Sequence, residues 1–155
     1  MRFVEVLPDE PATAALLREY FAMREAGFPT PGGYRVVLPD PAVFTPPGGV
    51  FLRVDGEEGP VGCGGVRRIA PDERGERMEV KHLYVVPAAR GRGAGRALLA
   101  ALERWAAGAG AASVVLDTNR ALEAAGGLYR SAGYASVPPY NDNPNATDWY
   151  AKPLR

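Results

Sequence analysis

Apolar and polar positions alternate along the chain in a way that predicts a succession of short strands and two amphipathic helical stripes. Phe3 to Leu7 reads as a first strand. Asp9 follows as a candidate helix cap, with Pro11 in the first turn, where a missing N–H leaves no bond unmade. Ala14, Leu17, Phe21 and Arg24 then recur at helical spacing, Leu16 and Tyr20 widen the stripe, and Gly27 and Pro29 stop it. From Pro29 to Gly49 proline and glycine are too dense for regular structure, and so long a connection in a small domain is usually functional or mobile. Val50 to Val54, Val61 to Ile69 and Glu76 to Val86 read as three strands joined by tight turns, an antiparallel meander. Leu98, Leu102 and Trp105 mark a helix over Ala94 to Ala107, ended by Gly108 and Gly110. Ser113 to Leu116 is a buried strand, Ala121 to Ala132 a further helix stopped by Gly133, and Trp149 to Ala151 a last strand. The predicted order is β-α-β-β-β-α-β-α-β, without an internal repeat.

Composition narrows the classes of function. At 155 residues the chain can bury about 70% of its extended surface, so residues 1–155 are expected to form one domain. Hydrophobic residues at 46% and charged residues at 23% are globular proportions. Acidic and basic residues balance at 18 each, which leaves no basic footprint for nucleic acid. The single cysteine, Cys63, cannot form an internal disulfide, and the single histidine, His82, cannot build a multi-histidine metal site. The N-terminal stretch carries Glu5 and Pro8 where a signal peptide needs an apolar run, and nothing approaches the roughly 18 apolar residues of a membrane span. A cytoplasmic protein is expected, with no metal and no membrane partner. Lys81 and Lys152 are the only lysines, a bias that together with abundant Ala, Gly and Pro suggests a high-GC, bacterial source.

The chemistry concentrates between Leu83 and Leu99. There a strand, Leu83-Tyr84-Val85-Val86-Pro87, runs into a glycine-rich turn, Arg90-Gly91-Arg92-Gly93-Ala94-Gly95-Arg96, that opens directly into a helix. Glycines let backbone N–H groups approach an anion, the helix N-terminus adds its positive end, and three arginines add formal charge. Such a turn is a pyrophosphate cradle. It lacks the Gly-Lys-Ser/Thr ending of a P-loop, and its strand belongs to a meander rather than a βαβ unit, so nucleotide-binding readings weaken.

This segment resembles motif A of the GNAT superfamily of N-acetyltransferases, whose Arg/Gln-x-x-Gly-x-Gly/Ala pattern is filled by Arg90, Gly93 and Gly95. Leu128-Tyr129-Arg130-Ser131-Ala132-Gly133-Tyr134 is similar to the family's later leucine-tyrosine-x-x-x-glycine-aromatic motif, and the element order agrees along the chain. The resemblance implies an α/β (α+β) fold with a mixed, mostly antiparallel central sheet flanked by helices. It also implies acetyl-CoA as co-substrate, held by Tyr84, Val85, Val86, the turn from Arg90 through Gly91, Arg92, Gly93, Ala94 and Gly95 to Arg96, and by Asn119 and Tyr129. In the family a bulge splays the fourth strand from the next, so unpaired backbone groups meet the pantetheine amides, and the N–H of Val86 or Val85 polarises the thioester carbonyl.

Direct attack requires a neutral amine, yet an alkylammonium has a pKa of about 10.4 in water. Glu79 occupies the position of a family glutamate that accepts this proton directly or through water. His82 titrates nearer neutrality but should face away from Glu79 by strand alternation, and water alone is the third option. Tyr129 sits where the family keeps the acid that protonates the departing thiolate. Asn119 to Tyr129 is a longer interval than the family's commoner spacing. Cys63, between glycines on a strand, reads as buried packing rather than a nucleophile. The tail from Tyr140 to Tyr150 and the early Tyr34 or Phe28 are candidates for the acceptor pocket. The expected activity is acetyl-CoA-dependent N-acetylation of a primary amine on a small molecule or peptide. The competing expectation is a CoA-binding sensor or interaction domain without catalysis. Dimers are common among relatives, which keeps a homodimer open.

Overall fold

A computed structural model describes residues 1–154. The elements run β1 (Arg2–Val6), α1 (Pro11–Gly27), β2 (Gly49–Gly56), β3 (Gly59–Asp72), β4 (Gly75–Val85), α2 (Ala94–Gly108), β5 (Ser113–Thr118), α3 (Glu123–Ser131), β6 (Ala135–Val137) and β7 (Asp148–Pro153). One short 3₁₀ turn, Pro87–Ala89, joins β4 to the glycine turn. The seven strands form one sheet in the order β1-β2-β3-β4-β5-β7-β6. Only β4 and β5 pair in parallel; every other neighbour is antiparallel.

Period-two alternation sorts the sheet's side chains onto two cores. Val50, Leu52 and Val54 of β2 with Met78 and Val80 of β4 face α2, where Leu98, Leu99 and Leu102 fill the space with Tyr129 of α3. Phe51, Cys63 and Tyr84 face the other way, onto Leu16, Leu17, Tyr20 and Phe21 of α1. The helices therefore cover opposite faces. Phe44, from the long connection between α1 and β2, is buried against Phe51 with ring centroids 5.3 Å apart. Gly65 makes room for that pair, since a Cβ there would lie 2.6 to 2.7 Å from ring atoms of both phenylalanines.

Two local expectations are corrected. Glu10 rather than Asp9 caps α1, accepting the Thr13 N–H at 2.8 Å and the Ala12 N–H at 3.3 Å, because Pro11 takes the first helical position and leaves Glu10 immediately before it. The helix expected over Ala121 to Ala132 begins only at Glu123, since Asn119 Oδ1 accepts the Ala121 N–H and holds a turn there. Strand β6 escaped prediction because its three residues carry no alternation and are held by pairing with β7.

Candidate active site

β4 and β5 pair only from Arg77, Met78 and Glu79 onto Ser113, Val114 and Val115. Beyond that point β4 stays with β3 and β5 stays with β7, so the two strands part. The gap leads into a cavity of about 1040 Å³ that reaches residues on both faces of the sheet. On the α2 side it is lined by Arg90, Gly91, Gly93, Ala94, Gly95 and Arg96 of the turn and by Leu128 and Tyr129 of α3. On the α1 side it is lined by Tyr20, Arg24, Tyr34, Arg67, Lys81 and Asp117, among others.

The strand register decides which backbone groups face this gap. The Val86 N–H donates to the Val61 carbonyl at 2.8 Å, so these two residues form a hydrogen-bonded pair of the antiparallel ladder. Gly62 and Val85 are the next pair, and alternation turns the Val85 N–H and carbonyl away from β3, toward the opening. The expectation of Val86 as oxyanion donor is therefore corrected: its donor is already used, and the free position is Val85. Arg90 Nε donates to the Val85 carbonyl at 2.8 Å, tying the turn to the strand end.

Gly91 and Gly93 adopt φ of +79° and +82°, a region that side chains with a Cβ enter at a cost, and Gly93 is the cap of α2. The backbone there turns sharply into the first turn of α2. Arg96 is hydrogen-bonded to the Ser131 hydroxyl of α3. Arg92 is exposed and does not line the cavity, so the formal charge at the turn comes from Arg90 and Arg96.

Glu79 occupies a different place from the one expected of a base. It is 1% exposed and is absent from the cavity wall. Arg67 Nε and Nη2 donate to its Oε1 at 3.1 and 2.9 Å, and the Tyr140 hydroxyl donates to Oε2 at 2.6 Å. Asn141 Nδ2 adds a longer bond at 3.4 Å. With both oxygens occupied by neighbours, Glu79 anchors the tail and has no surface on the cavity. Lys81 and Asp117 form the adjacent pair, with Nζ 3.0 Å from Oδ1, across the point where β4 and β5 separate. Burial acts to raise the Asp117 carboxyl, but Lys81, Asn141 and Asn143 outweigh it and hold the carboxyl below its ordinary range.

His82 also departs from expectation. A bulge opposite Gly64 and a φ of +58° rotate it onto the α1 side, the same side as Glu79, where it packs edge-on against Tyr20 and Phe21. Burial among these rings, with Lys81 and Arg67 nearby, pushes its pKa down to about 3, so the ring is neutral and weakly basic. Tyr129 is 7% exposed yet lines the cavity; burial keeps its phenol protonated well above the ordinary range. Its hydroxyl has no hydrogen-bond partner among the described residues and none of their buried side-chain oxygens is left unsatisfied, so this one reaches the cavity.

Asn119 is corrected from cofactor ligand to loop brace. It is 3% exposed, lies off this cavity, and its Nδ2 donates to the Asn145 carbonyl at 3.2 Å. The tail does reach the cavity, through Asn141, Asn143, Pro144, Asn145 and Ala146, as does Tyr34; Phe28 stands behind Tyr34 instead. Sequence reading missed Arg67, Lys81 and Asp117. A lysine on a strand and an acid closing a buried strand were the available signs, and neither says which face it takes. Among the described residues no cluster of three metal-ligating side chains occurs, and no helix is long and apolar enough to cross a membrane.

Comparison with known proteins decides the family. The model of the Acetyltransferase (GNAT) family matches residues 13–134. The chain belongs to the GNAT acetyltransferase family. It is 30% identical over 135 residues to the uncharacterized N-acetyltransferase YjgM of Escherichia coli, covering 84% of this chain and 79% of that protein. It is 40% identical over 80 residues to an IAA acetyltransferase of Azospirillum brasilense, a match spanning 52% of this chain but only 50% of that relative's length. The fold matches a GNAT-family acetyltransferase from Staphylococcus aureus with a TM-score of 0.79 at 16% identity, covering 99% of both chains. It also matches a phosphinothricin acetyltransferase from Sinorhizobium meliloti, solved in complex with AcCoA, with a TM-score of 0.66 at 18% identity over 99% of this chain and 88% of that one. The GNAT fold thus expected from motif A is the fold found.

Proposed function

We propose that this GNAT protein transfers an acetyl group from acetyl-CoA to a primary amine by direct attack. The observation that carries the reading is the opening between β4 and β5, which leads from the glycine turn to a cavity lined by both Val85 and Tyr129. The residues fit the co-substrate: left-handed glycines expose N–H groups at a helix start, and Arg90 and Arg96 stand beside them for the pyrophosphate. The AcCoA bound by the structurally similar phosphinothricin acetyltransferase supports the same assignment.

The amine nitrogen attacks the thioester carbonyl carbon, forming the C–N bond, while the Val85 N–H donates to the carbonyl oxygen as negative charge develops on it. Collapse breaks the C–S bond, and Tyr129 gives its proton to the departing thiolate. Glu79 is sealed and His82 is too weak a base, so an ammonium acceptor sheds its proton to cavity water before the neutral nitrogen attacks. The products are an N-acetyl amine and free CoA, and the nitrogen's surplus proton restores Tyr129. The test is acetyl-CoA binding by calorimetry together with CoA release on an amine panel. Binding with amine-dependent release is expected. Binding without transfer to any amine would favour the sensor reading, and no binding would reject the cradle.

A further inference from the structure

The α1 side of the cavity carries positive charge that its neighbours do not neutralise. Arg24, Arg35, Arg67 and Lys81 line it against Asp40 and Asp117. Arg67 is paired with Glu79, and Lys81 with Asp117. Arg24 and Arg35 have no carboxylate within 4.0 Å among the described residues.

Arg24 is nonetheless held in place. Its Nη1 donates to the Tyr20 hydroxyl at 2.9 Å, and its guanidinium carbon lies 4.9 Å from the centre of the Tyr34 ring and 5.8 Å from that of Tyr20. Its Nε and Nη2 make no bond, and since no buried side-chain nitrogen among the described residues lacks a partner, both are open. Arg35 is positioned through its backbone: its N–H donates to Asn145 Oδ1 at 2.9 Å, and Asn145 Nδ2 returns a bond to its carbonyl at 2.7 Å. Beside these two cations Val37 and Leu38, 68% and 74% exposed, border the same cavity with unmatched apolar surface.

A planar guanidinium with free donors matches a carboxylate geometrically, and its partial sequestration between rings reduces the entropy lost when a ligand arrives. Polycationic acceptors would meet repulsion here. A cationic surrounding also lowers the pKa of a substrate ammonium, which favours the free amine where no side-chain base is available. We propose that the acceptor is an amine of amino-acid type, whose carboxylate is held by Arg24 and Arg35 and whose apolar side chain lies against Val37 and Leu38. The assignment rests on the acetyltransferase reading and adds the substrate class to it.

The experiment compares matched acceptors at saturating acetyl-CoA: leucine against isopentylamine, phenylalanine against 2-phenylethylamine, with putrescine as a dication. Product is measured by mass spectrometry and acetyl-CoA binding by calorimetry. The carboxylate member of each pair should show a kcat/KM higher by about tenfold or more, the scale of a charge-assisted hydrogen bond. Arg24→Gln and Arg35→Gln should bring that ratio toward one by raising KM for the amino acids alone, with acetyl-CoA affinity unchanged. Arg24→Lys, which keeps charge without the planar fork, should fall between them and guards against a folding artefact. Carboxylate-free amines acetylated equally well or better, or a double glutamine variant that keeps the full ratio, would overturn the proposal while leaving the acetyltransferase reading intact. Failure to bind acetyl-CoA, or binding without transfer to any member of the panel, would overturn both.

Discussion

Tyr129 belongs to the core and to the cavity at once, since its ring packs on the α2 side while its hydroxyl reaches the cavity. Tyr129→Phe keeps the ring, so the thermal midpoint and acetyl-CoA affinity should hardly move, whereas turnover should fall by about tenfold or more if it supplies the thiolate's proton. Turnover within twofold, as a rough bound on no effect, under conditions where chemistry limits the rate would return Tyr129 to packing. Its raised pKa adds a second check: the phenol stays protonated beyond the usual pKa of 10.0, so no alkaline loss of activity near that value should belong to it. Glu79 makes the opposite case. Glu79→Gln leaves Arg67 without its countercharge while Lys81 keeps Asp117, so it should cost about 1–3 kcal/mol of stability by denaturant titration and lower turnover by one factor at every pH. A loss that recovers at high pH would restore Glu79 as the base. At this scale the sequence showed which residue types gather but not which way they point. Whether Val85 or Val86 offers its N–H depends on the ladder's register, and the burial of Glu79 depends on Tyr140, distant in the chain.

Among the elements, the helix opening at Gly93 was the most legible, because strand, glycine turn and amphipathic helix are contiguous and each is written locally. Its cap conformation yields a direct prediction. Gly93→Ala places a Cβ at a φ of +82°, where nothing lies within 4 Å, so any effect comes from backbone strain and not from collision. The variant should lose about 1–2 kcal/mol of stability or relax the turn, and relaxation would raise KM for acetyl-CoA while kcat at saturation changes little. An unchanged midpoint with unchanged KM would show that the turn does not need the left-handed conformation. The parting of β4 from β5 was anticipated only through family resemblance, since no pattern within either strand announces where pairing stops. β6 was illegible for a related reason: its three residues are a strand only because β7 is there to pair with them.

Considered as a whole molecule, the sheet separates two cores with different tolerance to acid. The α2 side is aliphatic and tyrosine-rich; the α1 side encloses His82, whose pKa falls from 6.5 to about 3 on folding. The unfolded chain therefore binds a proton that the folded one does not, so stability should decline as pH falls from about 6.5 toward about 3. His82→Phe should flatten that decline in denaturant titrations; an unchanged slope would assign it to the carboxylates. Buried tyrosines act at the other extreme. Tyr34, raised to about 12, and Tyr129 hold protons that the unfolded chain releases above the usual 10.0, so stability should also fall at strongly alkaline pH. The apolar run of Val50, Phe51 and Leu52 in β2 fits a strand covered on both faces, whereas the placement of the long connection was not legible, because it rests on contacts between segments: Phe44 against Phe51, and the Arg68 N–H donating to the Gly48 carbonyl. Cys63 lies wholly enclosed under α1, its thiol pushed up to about 12 by burial. Colorimetric thiol reagents will then record released CoA against almost no background from the enzyme itself. The same shielding makes the cysteine an intrinsic clock for separation of α1 from the sheet: its modification rate in the native state should rise with denaturant in step with opening of that helix, and brisk labelling of the folded protein would reveal that α1 lifts far more often than its packing implies.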